Sequence, residues 1–238
     1  MKVSFLLPTN RDYAMFASNV VRNINETCSF EKEILIYSPQ EVHGENVKWF
    51  KEAPGGEGCV KGYNYLYKKS TGDFIVIVND ENGFRPGTIE SCISFLASPF
   101  FLNRKLKVMS VGSDIRSFPN SEETRRYTCI PTFGLTSRDY RVCGYPVFQR
   151  STIEEHLGGY VFHPEFKHHY GDNYLPFYAG FIEEPINDCP TSSLIAVSKN
   201  EFITQQPHTR TDGDEHDAGV YERLIRELAT GERSNYVN

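Results

Sequence analysis

Two acids stand at the tip of an apolar run, in Gly72-Asp73-Phe74-Ile75-Val76-Ile77-Val78-Asn79-Asp80-Glu81-Asn82. The run from Phe74 to Val78 reads as a strand covered on both faces, as in a parallel sheet. The acids begin where it ends, and ligands bind at the carboxyl end of a central strand in an open α/β sheet. Carboxylates placed there hold a cation or accept hydrogen bonds from a polar ligand, because a buried unpaired acid is costly. The alternative is a polar turn after a core strand. Three further groups carry usable chemistry: Pro8-Thr9-Asn10-Arg11, Lys61-Gly62-Tyr63-Asn64, and a downstream stretch, His168-His169-Tyr170-Gly171-Asp172-Asn173.

These residues need elements to hold them. Lys2 to Leu7 reads as a first strand, and Phe16, Val20 and Ile24 recur every four residues, as on an amphipathic helix. Glu33 to Tyr37 and Val47 to Phe50 are further apolar runs, followed by the glycine cluster Pro54-Gly55-Gly56-Glu57-Gly58, a flexible loop. A helix from about Val60 to Lys69, the acid-tipped strand, a helix from Thr88 to Leu96 and a strand from Leu106 to Val111 complete an alternating series. Such alternation predicts an α/β fold with a mostly parallel central sheet and helices on both faces. The rhythm breaks over 113–142, which reads as a polar excursion or lid containing Arg125 and Arg126. Tyr145 to Arg150 returns to a short strand. Ser151-Thr152-Ile153-Glu154 then opens a helix with an N-cap pattern, stopped at Gly158-Gly159. A last helix carries Val220, Leu224, Ile225 and Leu228 on one face, after an acidic loop that reads either as a segment closing over a bound ligand or as an exposed connector capped by Asp217.

The bulk properties narrow the classes. With 238 residues the chain suits one large α/β domain. A net charge of −6 argues against nucleic-acid binding through an extended basic surface. No stretch has the apolar length of a membrane span, and the first residues look like a strand rather than a secretory leader. The six cysteines are scattered without a C-x-x-C pair, so they are expected to be reduced thiols in a cytoplasmic protein, not a disulfide framework or zinc site.

The ordered motifs resemble a family 2 type glycosyltransferase with the GT-A fold, a Rossmann-like architecture that holds a nucleotide-sugar donor. Leu6-Leu7-Pro8-Thr9-Asn10-Arg11 matches the family's strand opening into P-T-x-N/R, and Ser70-Thr71-Gly72-Asp73-Phe74-Ile75 through Glu81 keeps the spacing of its acidic motif. Arg150, Leu157-Gly158-Gly159-Tyr160, Glu165-Phe166 and Gly171-Asp172 follow the order of its acceptor half. The resemblance covers roughly residues 2 to 180. It implies a single GT-A domain over 1–238, with a nucleotide-sugar-binding half at about 1–112, an acceptor half at about 113–200, and a C-terminal loop and helix at 201–238.

The resemblance also implies roles. A nucleoside-diphosphate sugar, UDP-linked by the family pattern, would donate to a hydroxyl of a saccharide or glycan acceptor with inversion, in one displacement. Asp172 would be the general base, though an Asp before Asn173-Tyr174-Leu175 also suits a helix cap. Pro8, Thr9, Asn10, Arg11, Ser38, Lys61, Asn64, Asn79 and Asp80 would line the donor site, with Asp80 on the ribose or donor sugar. Glu81, and His208 in the late polar loop, would contact Mn²⁺ or Mg²⁺. Solvated surface is the alternative for Arg11, Lys61 and Asn64. Three positions depart from the family pattern: Asn79 replaces the first acid, Glu81 the final Asp, and Ser38 the Asp that reads the base. His163, His168 and His169 are expected to be solvated or second to any metal contact. Two other readings stay open: a non-catalytic nucleotide-sugar or glycan-binding module, and a sugar-nucleotide nucleotidyltransferase. The second lacks its glycine-rich loop after the first strand.

Overall fold

The computed structural model describes residues 1–9, 14–52, 58–80, 82–84, 86–99, 107–110, 112–113, 146–168, 171–178, 193–196, 213–233 and 235–237. The alternating series is present: β1 (Lys2–Pro8), α1 (Ala14–Thr27), β2 (Glu31–Ser38), β3 (Val47–Lys51), α2 (Cys59–Lys69), β4 (Phe74–Ile77), β5 (Asn82–Phe84), α3 (Thr88–Leu96), β6 (Val108–Ser110) and β7 (Gly112–Ser113). Then follow β8 (Pro146–Gln149), α4 (Arg150–His156), α5 (Gly171–Tyr178), β9 (Ser193–Ala196) and α6 (Gly213–Thr230).

A six-stranded sheet has the order β3-β2-β1-β4-β8-β6. Its first four strands are parallel, with Leu6 of β1 opposite Leu35 of β2 and Ile77 of β4. β8 runs antiparallel to both β4 and β6. Residues 74–77 alternate between the two faces of the sheet, and all four are buried, so both faces are covered. α2 packs on β1 and β2, and α3 on β6 and β8. A smaller sheet, β5-β9-β7, joins Asn82–Phe84 to the much later β9, which also pairs with β7.

Opposite the strand tips, Glu33 anchors the lower end of the sheet. Its carboxylate accepts from Ser4 Oγ at 2.7 Å, Thr71 N at 2.6 Å and Lys48 Nζ at 2.6 Å, and pairs with Lys2 Nζ at 3.2 Å. Burial opposes its ionisation, but the hydrogen bonds from Lys48, Ser4 and Thr71 outweigh that and hold its pKa at about 2.

One local expectation needs correction. α4 begins at Arg150, after an extended Gln149 with no side-chain cap, so Ser151-Thr152 does not form the N-cap. The Thr152 hydroxyl instead accepts from Lys107 N at 2.9 Å, tying the approach of β6 to α4. Arg150 donates from Nε to Gly72 O at 2.5 Å and from a terminal nitrogen to Ser70 Oγ at 2.8 Å, locking α4 onto the turn before β4.

Candidate active site

The parallel strands β1, β2 and β4 end on one edge, and several of the candidate residues meet there. Thr9 N donates to Tyr37 O at 2.9 Å, and its hydroxyl donates to the Asp80 carboxylate. Val78 N donates to Leu6 O at 3.0 Å, which extends the pairing of β1 with β4 up to this corner. Asp80 is only 8% exposed, so its charge is met by protein partners rather than bulk water. Half-buried Asn79 precedes it. Ser38 closes β2, with its buried hydroxyl donating to Gln40 O at 2.6 Å and accepting from Trp49 Nε1 at 3.1 Å.

α2 roofs this corner. A Cβ on Gly62 would lie 2.7 Å from Pro8 Cβ, so glycine is what lets the helix sit against the end of β1. Lys61 is on the exposed side of the helix. The Tyr63 hydroxyl donates to Val78 O at 2.9 Å, two residues before Asp80. Asn64, in contrast, has its amide turned to the backbone of the downstream half. Its nitrogen donates to Phe162 O at 2.9 Å, and its oxygen accepts from Val161 N at 2.9 Å and Phe162 N at 3.2 Å.

The downstream motif is therefore joined to the acidic corner through α2. The rings of Tyr63 and Phe162 meet edge to face at 5.6 Å. Phe162 in turn seats the start of α5, where a Cβ on Gly171 would come within 3.1 Å of the Phe162 side chain. Asp172 is the second residue of α5, and its side chain lies outside the described set. A run of contacts thus leads from Val78 through Tyr63 and Phe162 to the helix that carries Asp172. Asn10, Arg11, Glu81 and His208 lie outside the described residues, as do Arg125, Arg126 and His169.

Two expectations in this region are overturned. His163 is not solvated: it is 1% exposed, packed among Phe166, Tyr174 and Tyr236 at ring separations of 5.9, 5.5 and 5.5 Å. Burial lowers its pKa to about 4, so it is a neutral core histidine at ordinary pH. Asp217 does not cap an exposed connector. It lies within α6, is fully buried, and accepts Lys167 N at 2.9 Å and His168 N at 2.8 Å. The sequence carried a signal for this, since Asp217 shares the i, i+3, i+7 face of Val220 and Leu224.

Among the described residues, no group of three or more His, Cys, Asp or Glu side chains is arranged to hold a metal ion. The described polar side chains at the corner, Thr9, Asn79 and Asp80, present oxygen donors, the chemistry that Mg²⁺ and Mn²⁺ accept. Cys28, Cys59 and Cys92 are unbridged thiols. No helix among the described residues is long and apolar enough to cross a membrane.

Neither a protein-family model nor a curated protein sequence matches the chain. Solved structures do. The chain is similar to S. aureus TarS 1-349 in complex with UDP-GlcNAc, with a TM-score of 0.61 at 15% identity, over 94% of this chain and 65% of that one. It is also similar to the mannosyltransferase PcManGT from Pyrobaculum calidifontis in complex with GDP-Man and Mn²⁺, with a TM-score of 0.53 at 16% identity, over 84% of this chain and 58% of that one. The chain spans less than two thirds of either neighbour. At such identities the likeness establishes the architecture: an α/β fold of the GT-A, Rossmann-like kind.

Proposed function

We propose that this chain is a nucleotide-sugar glycosyltransferase of family 2 type, transferring a sugar from a nucleoside-diphosphate donor to a saccharide hydroxyl with inversion. The observation that carries this reading is the Thr9–Asp80 corner at the strand tips. It stands in a fold whose solved neighbours are complexes with UDP-GlcNAc and with GDP-Man and Mn²⁺. Asp80 would receive the ribose or donor sugar, and the base would lie toward Ser38. Lys61 and Arg11 would face the diphosphate. The engaged amide of Asn64 suits positioning of residues 161–162 better than donor contact. The same fold could serve a non-catalytic binder, and turnover separates the two.

Asp172 is the general base of this reading. Its carboxylate takes the proton from the acceptor hydroxyl as that oxygen bonds to the anomeric carbon. The bond from that carbon to the diphosphate oxygen breaks on the opposite face, and the nucleoside diphosphate leaves with the electron pair. No enzyme nucleophile is required. Glu81 and His208 would hold Mn²⁺ or Mg²⁺, which would supply charge neutralisation for the diphosphate.

Thermal melts and hydrolysis assays with UDP-GlcNAc, UDP-glucose and GDP-mannose, each with and without Mn²⁺, test the proposal. A donor at about 100 times its Kd is expected to stabilise the fold by roughly 2.7 kcal/mol, and to be hydrolysed slowly without acceptor. Absence of both effects for every donor would remove the transferase reading. Stabilisation with no turnover, even when acceptors are supplied, would favour the binding module.

A further inference from the structure

The backbone at Lys167 and His168 is gripped from two sides. Their N–H groups donate to the two carboxylate oxygens of Asp217, at 2.9 and 2.8 Å. Their carbonyls face the first turn of α2: Lys167 O accepts from Val60 N at 3.1 Å, and His168 O accepts from Cys59 Sγ at 3.1 Å. All four backbone polar groups of this dipeptide are thereby fixed. The grip is close, because a Cβ on Gly58 would lie 2.3 Å from Lys167 O and Gly58 has a φ of +89°. α6 also holds the preceding turn, through a contact of His216 Nε2 with Glu165 O at 3.1 Å and an ion pair between Arg223 and Glu165.

We propose that Asp217 is a positioning residue for Asp172, an inference that rests on the transferase reading above. A fully buried carboxylate is costly unless its oxygens are met, and here they are met by two consecutive backbone N–H groups. His168 lies three positions before Gly171, where α5 starts. Phe162 packs against Gly171, and the Asp217 grip fixes Lys167 and His168 just upstream in the sequence. The first turn of α5, with Asp172 as its second residue, is set between the two. The same grip reaches the start of α2, so one carboxylate on a late helix registers the base-bearing helix against the donor-side helix.

The test compares Asp217→Asn with Glu227→Gln, using whichever of UDP-GlcNAc or GDP-mannose the wild-type chain hydrolyses with Mn²⁺. Glu227, on the same helix, pairs with Arg223 and with Arg233 just past the helix end, and not with residues 167–168, so its variant reports the cost of loosening α6 while the Asp217 grip stays in place. Well below each melting temperature, Asp217→Asn is expected to lower kcat by about tenfold or more and to leave the donor KM within about threefold. Glu227→Gln should keep the wild-type kcat. Asp217→Glu, which retains the charge but displaces it, should show a smaller fall in kcat. A wild-type kcat in Asp217→Asn, an equal fall in Glu227→Gln, or a change confined to KM would overturn the proposal. So would failure of both Asp217 variants to fold, which assigns the carboxylate to the fold alone. Asp172→Asn is assayed alongside. Full activity there removes the base assignment itself, whatever the Asp217 variants do.

Discussion

The Thr9 hydroxyl donates to the Asp80 carboxylate, joining residues 71 positions apart at the tips of neighbouring parallel strands. A hydrogen bond to a charged group contributes about 1.5–3 kcal/mol, and Asp80 has little water to replace it. Thr9→Val keeps the shape and removes the donor. The variant is expected to lose stability on that scale and to bind nucleotide sugar more weakly. Urea unfolding and donor titration measure the two effects. An unchanged unfolding midpoint would mean that the hydroxyl is dispensable to the corner.

His163 supplies a pH signature. Burial depresses its pKa from 6.5 to about 4, with Arg233 and Arg223 adding to the effect and Glu165 opposing it. Between those values the unfolded chain binds the proton more readily, so stability is full above pH 6.5 and falls as the pH drops toward 4. The contribution lost across that window is about 3 kcal/mol. Among the described residues its Nε2 has no hydrogen-bond partner and its Nδ1 accepts only from Glu165 N, at a long 3.4 Å, so His163→Phe gives up little hydrogen bonding and fits the surrounding rings. Unfolding free energies of His163→Phe measured from pH 7 to 5 should be flatter than those of wild type. Parallel curves would contradict the burial argument.

Glu33 acts in a lower window. Its pKa is held at about 2, against an ordinary value of 4.5, so its stabilisation is present above pH 4.5 and lost as the pH falls through about 2. Glu33→Gln is expected to cost about 3 kcal/mol at pH 7, with the gap to wild type closing below pH 4.5. A constant gap across that range would assign the loss to packing instead of charge.

The sequence made the parallel half of the sheet legible because β1, β2 and β4 are apolar runs and α2 and α3 have helical periodicity. The direction of β8 was not legible. Pro146–Gln149 is four residues long, and its orientation is decided by pairing with β4 and β6, not by anything local. The pairing of Asn82–Phe84 with Ser193–Ala196 is shorter still and joins residues 110 to 114 positions apart, so no periodicity could announce it. Thr152 has the composition of an N-cap, yet tertiary contact with Lys107 claims its hydroxyl. At the site, the acid at a strand tip was legible as Asp80. Tyr63 was not legible as a bridge, because a tyrosine on a helix face gives no hint that its hydroxyl will reach Val78 O. Asp217 was hidden inside an acidic run whose composition suggests solvent, although its spacing to Val220 and Leu224 points inward.

The most direct measurement pairs donor binding with turnover in two variants, Asp80→Asn and Asp172→Asn, by calorimetric titration of the stabilising nucleotide sugar and by single-turnover transfer. Asp80→Asn should weaken donor binding by about 1.5–3 kcal/mol. Asp172→Asn should bind donor as wild type does while losing roughly 10²–10⁴-fold in rate. Wild-type transfer by Asp172→Asn, or wild-type donor affinity in Asp80→Asn, would contradict the division of labour between the strand tip and the helix that begins at Gly171.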